Sequence, residues 1–281
     1  MLVEMAIADA YGAGFEFVAQ DIIRTHNDLS GYRAHALSGE SACYTDDTQM
    51  SLALAELMLS DKPWDSETIA AAFYDTYHRD PVHGYAKRLQ QAFTEAPNAK
   101  TFARLVKTDS FGNGAMMRAL PLGYLADEQK VMSRAEQQAR VTHDHDIALN
   151  AAKCIALATH AGLYKKATLD TLPDYLTDFD CVFDVHWEGP VRAISEDTLS
   201  AVLMVLSQSR SLSNLLELSV NLGGDTDSLA AISCGIASCY EEVEKDLPQA
   251  LIAQFDHPHY GLEYLANIDL RLEALKCQTH L

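Results

Sequence analysis

Two short acidic strings carry the clearest chemical potential in this sequence: Thr45, Asp46 and Asp47 in CYTDDTQM, and Asp225, Asp227 and Ser228 in NLGGDTDSLAA. Each offers two carboxylates and a hydroxyl at the head of an apolar run. Taken singly, each has an ordinary explanation. Thr45 suits an N-cap, and Asp46 and Asp47 would sit in a first helical turn, where the dipole favours negative charge. Gly223 and Gly224 would supply the turn before a cap at Asp225 or Asp227. Taken together, two such helix starts side by side would gather four carboxylates. Like charges about 4 Å apart repel by ~4 kcal/mol per pair at an effective dielectric of ~20. Divalent cations relieve that repulsion, and hard oxygen ligands select magnesium, manganese or calcium over zinc. The string D-T-D-S lacks the long loop of an EF-hand, so a two-metal site that activates water fits better than a calcium sensor.

The elements that must position these groups read as helices. After TDDT, the run from Gln49 to Ser60 places Met50, Leu54, Leu57 and Met58 on one face. A second helix is expected over Ser66–His78, with Ile69, Phe73 and Tyr77 in step. Others are expected over Tyr85–Ala96, Ala115–Leu125, Asp146–Ala161, Leu199–Ser207, Ser211–Val220, Ser228–Tyr240 and Tyr260–Lys276. Alternating strand patterns are nearly absent. Loops are expected where Gly, Pro and polar residues cluster, over Gly12–Tyr44, Arg79–Gly84, Asp109–Gly114 and Asp170–Pro190. The expectation is an all-α chain, residues 1–281 forming a single compact orthogonal helical bundle with a dinuclear metal site at helix N-termini.

Composition narrows the classes. With 281 residues, 48% of them hydrophobic, the chain can bury a substantial core. A formal net charge of −19 argues against nucleic-acid binding, because no basic stripe is present to release counterions. No apolar run is long enough to span a membrane, and the N-terminus lacks the basic region of a signal peptide. The six cysteines (Cys43, Cys154, Cys181, Cys234, Cys239, Cys277) are scattered without a C-x-x-C pair, which suits free thiols in a reducing cytoplasm. An acidic protein that takes an anionic ligand would need local positive potential from metal ions or helix N-termini.

Further strings extend the pattern: YGAGFEF with Glu16, DPVHGYAKR with Asp80, Gly84 and Tyr85, DSFGNGAMMR with Ser110, Phe111, Gly112, Asn113 and Gly114, and VTHDHD with His143. A glycine-rich turn ahead of a helix offers N–H groups suited to a diphosphate, and Phe111 offers an aromatic face for adenine. Standing alone, a GNG string is more often a simple helix entry, a lone glutamate in a glycine-rich loop is usually just solvated, and the Asp80–Tyr85 string reads as a surface turn.

In their order along the chain, YTDDTQM, FGNGAMMRALPLG, the TH pair and NLGGDTDSLAA resemble the ADP-ribosylglycohydrolase family, over roughly Ala6 to Tyr240. The resemblance implies an all-α fold and a pair of magnesium or manganese ions between the two aspartate strings. It implies that Thr45, Asp46, Asp47 and Asp227 hold one ion, and Asp225, Asp227 and Ser228 the other. Serine at 228 stands where the family usually has threonine, which keeps the hydroxyl. It further implies Glu16, Asp46 and Asp227 as catalytic residues, with Glu16 on a mobile loop. Ser110–Gly114 and His143 would lie against the ADP-ribose, and Asp80, Gly84 and Tyr85 at the substrate entrance. The family typically reads glycine-aspartate-alanine where this chain has Ala8-Asp9-Ala10, a departure that bears on helix packing more than chemistry. The chain begins almost at this motif, so a longer native N-terminus is an open expectation.

The implied reaction is hydrolysis at ribose C1″ of ADP-ribose attached to an acceptor side chain, arginine foremost, on a protein or a small molecule. Two other classes compete. HDHD, with His78, His83 and His160, would suit an HD-type metal phosphohydrolase but leave GGDTDS without a role. A non-catalytic ADP-ribose-binding or structural member of the same fold is the other, and the intact aspartates argue against it.

Overall fold

The apolar runs behind the two acidic strings form helices, and a third helix from the N-terminus lies between them. A computed structural model of the chain describes residues 1–36 and 38–278. In chain order it contains α1 (Leu2–Ala13), α2 (Gln20–His26), α3 (Asp46–Met58), α4 (Ser66–Arg79), α5 (Lys87–Glu95), α6 (Ala99–Leu105) and α7 (Glu128–Ala139). It continues with α8 (Asp146–Leu163), α9 (Leu172–Thr177), α10 (Ser195–Gln208), α11 (Leu212–Leu222), α12 (Thr226–Ala237), α13 (Gln249–Gln254) and α14 (Leu262–Gln278). Among the described residues β structure is limited to isolated bridges, so the all-α expectation holds.

Helix α12 is the centre. Each of its residues is buried, and α1 runs along it with α8, α10 and α11 on its other sides. A helix covered all round carries no amphipathic stripe, and α1, buried over almost its whole length, likewise shows no periodic apolar face, its apolar residues interrupted only by Glu4 and Asp9. Each fully buried Leu or Ile on these two helices contributes roughly 2 kcal/mol. The two backbones meet at Gly12, where a Cβ would come within 2.5 Å of the Thr226 carbonyl oxygen and 2.7 Å of the Asp227 Cα. That close approach brings α1 up to the start of α12, where the second acidic string lies.

Three expectations are corrected. The segment Gly12–Tyr44, expected as loop, begins inside α1 and contains α2. Ala115–Leu125, expected as a helix, is two short 3₁₀ turns, Asn113–Ala115 and Leu120–Tyr124. Pro121 lacks an N–H and Gly123 follows it, so a continuous α ladder is unfavourable there. Helix α9 likewise interrupts the expected loop over Asp170–Pro190, and the short or polar helices α6, α7 and α13 were not anticipated. Cys43, Cys154, Cys181, Cys234 and Cys239 are free thiols, while the side chain of Cys277 lies outside the described residues. No described helix is long and apolar enough to cross a membrane.

Candidate active site

Thr45 occupies the N-cap position of α3, but its side chain makes no cap bond. The cap comes from another helix. The buried carboxylate of Asp9 on α1 accepts from the backbone N–H of Thr45 and of Thr48, at 3.0 Å each. It also accepts from the Thr45 hydroxyl at 2.8 Å and the Thr48 hydroxyl at 2.6 Å. Two otherwise orphaned helix N–H groups are thereby satisfied. The consequence is chemical: Asp46 and Asp47 are released from capping, and the Thr45 oxygen keeps lone pairs for another partner. Asp9, given no role of its own in the sequence reading, fixes the geometry of the first acidic string.

At the start of α12, Asp225 holds the N-cap position, again without a cap bond from its side chain. Its backbone N–H donates to the Val191 carbonyl at 2.9 Å, and the Thr226 hydroxyl donates to the Gly12 carbonyl at 2.8 Å. The Asp225 carboxylate accepts from the Asn113 amide at 2.6 Å, and the same amide reaches Thr198 Oγ1 at 3.1 Å. The two helix starts deliver Asp46, Asp47, Asp225, Asp227 and Ser228 to one cavity of about 510 Å³. Glu16 lines it from the loop after α1, and carboxylate oxygens of Glu16, Asp225 and Asp227 lie within 4.8 Å of one another. Glu16 is itself held by His35 Nε2 at 2.9 Å, whose Nδ1 contacts the Ser38 hydroxyl at 3.2 Å.

Crowding these anions in a dry pocket has an electrostatic cost. Burial raises Asp46, Asp47 and Asp227 well above the usual carboxylate range, and the neighbouring carboxylates raise them further. Burial pushes Asp9 up to about 6, against the pull of its four hydrogen bonds. Glu16 is also raised, by burial and then by Asp225, with His35 acting in the opposite sense. Buried oxygens Asp47 Oδ1 and Asp227 Oδ1 have no hydrogen-bond partner. Orphaned, mutually repelling carboxylate oxygens are the donor set a hard divalent cation would satisfy, so these residues fit such an ion. The opposite wall respects the same crowding. Gly84, at φ +108°, faces Asp46, and a Cβ there would fall 2.0 Å from Asp46 Oδ1.

The far side of the cavity is built by Ser110, Gly112, Asn113, Gly114, Thr142 and His143. The turn is pinned by the start of α10, where Ser195 N–H donates to the Phe111 carbonyl at 3.0 Å and its hydroxyl to the Gly112 carbonyl at 2.8 Å. Two details depart from the expectation of a free N–H cradle. The Gly112 N–H is spent on the Ser110 hydroxyl at 3.1 Å, and the Asn113 amide is spent on Asp225 and Thr198. Asn113 therefore braces the acidic string; its side-chain N–H groups are not free for a ligand. Phe111 is half exposed with its ring 5.6 Å from that of His145, and it does not line the cavity.

Asp80 and Tyr85 also stand off from the cavity. Asp80 pairs with His257 at 3.3 Å, and the buried Tyr85 hydroxyl donates to Gln49 at 2.7 Å. Of the three residues singled out in that string only Gly84 lines the cavity, joined there by Ala86 and Arg88. The histidines of the phosphohydrolase reading disperse. His78 bonds the Tyr74 carbonyl, His160 the Gly123 carbonyl, His83 pairs with Glu40, and His145 caps α8. Among the described residues no histidine joins the cluster of groups able to hold a metal. Sequence reasoning missed His35, Arg118 and Thr142 as site-shaping residues; Arg118 and Thr142 stand inside the quoted FGNGAMMRALPLG and TH strings, which were the available signal, whereas His35 is an isolated histidine with none.

An all-helical fold whose two acidic helix starts share one cavity defines a class, and comparison with known proteins agrees. The ADP-ribosylglycohydrolase family profile matches residues 1–279, and the chain belongs to that family. It is 28% identical over 275 residues to the ADP-ribosyl-[dinitrogen reductase] glycohydrolase of Rhodospirillum rubrum, covering 90% of this chain and 87% of that one. It is 26% identical over 260 residues to the ADP-ribosylhydrolase ARH3 of Homo sapiens, covering 72% and 71%. With the ADP-ribosylarginine hydrolase Tri1 of Pseudomonas putida it shares 26% identity over 255 residues, covering 84% and 68%. Among solved structures, an ADP-ribosylglycohydrolase-related protein complex superposes with a TM-score of 0.74 at 24% identity, over 98% of this chain and 96% of that chain.

Proposed function

We propose that this chain, working as one domain, is a metal-dependent hydrolase that removes ADP-ribose from a modified side chain, arginine foremost, by cleaving the bond at ribose C1″. The observation that carries the reading is the pair of orphaned buried oxygens, Asp47 Oδ1 and Asp227 Oδ1, in a cavity whose other wall is a glycine turn beside His143. The names of the relatives above support the reaction class, and the Pseudomonas putida relative supports arginine as acceptor.

Two divalent cations, Mg²⁺ or Mn²⁺, would be held by Thr45, Asp46, Asp47 and Asp227 on one side and by Asp225, Asp227 and Ser228 on the other. Bound there, they would supply Lewis acidity and a more acidic water. The protein's own groups do the rest. Asp46 and Asp227 orient the reacting sugar through what they hold, and the wall of Ser110, Gly112 and Gly114 with His143 positions the rest of the ligand. Glu16, aimed by His35 and raised by burial, accepts the proton of the attacking water. The water oxygen bonds to C1″ while the C1″–N bond breaks with its electron pair on nitrogen; the cationic guanidinium leaves readily as neutral guanidine, which then takes up the proton held by Glu16 and restores the carboxylate. The five described free thiols support a reducing, cytoplasmic setting.

The test is calorimetric titration of ADP-ribose with and without Mg²⁺, paired with release assays on arginine- and serine-ADP-ribosylated peptides. Cation-dependent binding with release from the arginine peptide is expected. Binding without release from any peptide would favour a non-catalytic binding protein, and absence of binding would sink the reading.

A further inference from the structure

Behind the glycine turn lies a buried cation that the proposed reaction does not use. Arg118 is fully buried, and among the described residues no carboxylate pairs with it directly. Its guanidinium donates to Gln138 Oε1 at 2.6 Å, the Gln138 carbonyl at 3.1 Å, Met50 Sδ at 3.5 Å and Thr142 Oγ1 at 2.7 Å. It also lies over the Phe73 ring, 4.5 Å from the centroid. Every one of these is an acceptor, and Gln138 is locked the right way round because its own amide donates to the Ala115 carbonyl at 2.8 Å. Burial pushes Arg118 down to about 9, so it stays a cation at neutral pH.

Guanidinium has donors and no acceptor, so Thr142 Oγ1 must accept from it. Thr142 is buried, and its hydroxyl has one further contact among the described residues, His143 Nδ1 at 2.6 Å. The Thr142 hydrogen therefore has one acceptor to go to. If Nδ1 carried a proton, two hydrogens would face each other across 2.6 Å, or the buried hydroxyl hydrogen would be left unmade. Nδ1 must be the acceptor, which places the imidazole proton on Nε2. The Nε2 edge faces the glycine turn: a Cβ on Gly114 would fall 3.3 Å from it, and one on Gly112 3.7 Å. Protonating both nitrogens is disfavoured by burial and by the Arg118 charge, which push His143 down to about 3.

We infer that Arg118 and Thr142 are positioning residues that lock His143 as the neutral Nε2–H tautomer, making it a hydrogen-bond donor to an acceptor atom of the ligand and barring it from acting as a base. The donor half of this inference rests on the ADP-ribose reading; the tautomer half does not. It also gives Gly112 and Gly114 a second purpose, since they leave open the side from which that N–H is reached.

Nitrogen-15 NMR of the imidazoles at pH 7, with the His143→Gln variant identifying the signals of His143, reads the tautomer directly. A protonated Nε2 with an unprotonated Nδ1 is expected; a protonated Nδ1, or an imidazolium, would overturn the inference. Titration of ADP-ribose into Thr142→Val and Thr142→Ser supplies the second readout. Losing the lock should weaken binding about tenfold in the valine variant with little change in kcat, and the serine variant should stay within about twofold of wild type. Wild-type affinity in Thr142→Val would overturn the donor role. Failure of the wild-type chain to bind ADP-ribose would sink the functional reading and the donor role with it. A wrong tautomer with binding intact would sink only the present inference.

Discussion

At the start of α3 the free backbone N–H groups of Thr45 and Thr48 are taken by a carboxylate from α1; at the start of α12 it is the carboxylate of Asp225 that is taken, by the amide of Asn113. The two strings have nearly the same composition, yet one is braced by an added negative charge and the other by a neutral donor. The difference follows from what each must satisfy. α3 has backbone donors to fill and its own carboxylates turned to the cavity, so an acceptor arrives from outside. α12 docks its first N–H on Val191, and the group left to steady is an acid. In both cases the helix cap is outsourced and the string's own carboxylates face the cavity. That separates a site from an ordinary pair of caps.

The comparison can be broken hardest at the shared floor. Asp227→Ala, or Asp46→Ala, is expected to lower ADP-ribose release by ~10³-fold or more, because it removes a group acting on the reacting centre. Activity near wild type in either variant would show that the acidic strings are structural. The brace of α3 comes next. Asp9→Ala strands two backbone N–H groups and two hydroxyls, and should cost on the order of 3 kcal/mol in urea unfolding. Asn113→Ala strands no helix donor and should leave stability closer to wild type. Its effect belongs in cation affinity, lowered roughly 10-fold to 100-fold in a Mn²⁺ titration, as for other residues that orient a metal ligand. If the two variants were alike in both measurements, the contrast between the two starts would collapse.

The pH dependence sharpens the same point. Asp9 has its folded value raised from 3.8 to about 6, and Asp46, Asp47 and Asp227 are raised in the same sense. The folded state then holds more protons than the unfolded chain above 3.8, so cation-free stability is greatest below that value. It should be lost as pH rises through about 6, where Asp9 ionises. Thermal melts with and without Mg²⁺ check this: the cation should stabilise more at pH 7 than at pH 5. A cation effect independent of pH would count against these carboxylates as its ligands. The smallest effect is expected from Ser228→Thr, which keeps the hydroxyl and adds a methyl. Release should change by no more than about twofold.

Much of this was legible in the chain itself. Ile69, Phe73 and Tyr77 on one face announced α4, because a period-3.6 apolar stripe survives where a helix keeps one face near solvent, and Met50, Leu54 and Leu57 announced α3 although nearly all of that helix is buried. The acidic strings declared themselves by type and spacing, since two neighbouring carboxylates beside a hydroxyl are chemically conspicuous in any context. Helix α1 did not announce itself, because burial on every side erases periodicity. The segment from Ala115 to Leu125 misled, because its apolar residues mimic a helical stripe while Pro121 breaks the ladder.

What the chain alone determined is therefore local: the all-α class, the acidic helix starts, and the glycine turn with its nearby histidine. What only the tertiary structure decided is who serves whom. Asp9 reaches α3 across 36 residues and Asn113 reaches Asp225 across 112, contacts that no local propensity encodes. The same holds for Arg118 and Thr142, an unremarkable pair in sequence separated by 24 residues. A donor without an acceptor has meaning only once burial has removed water and named its neighbour.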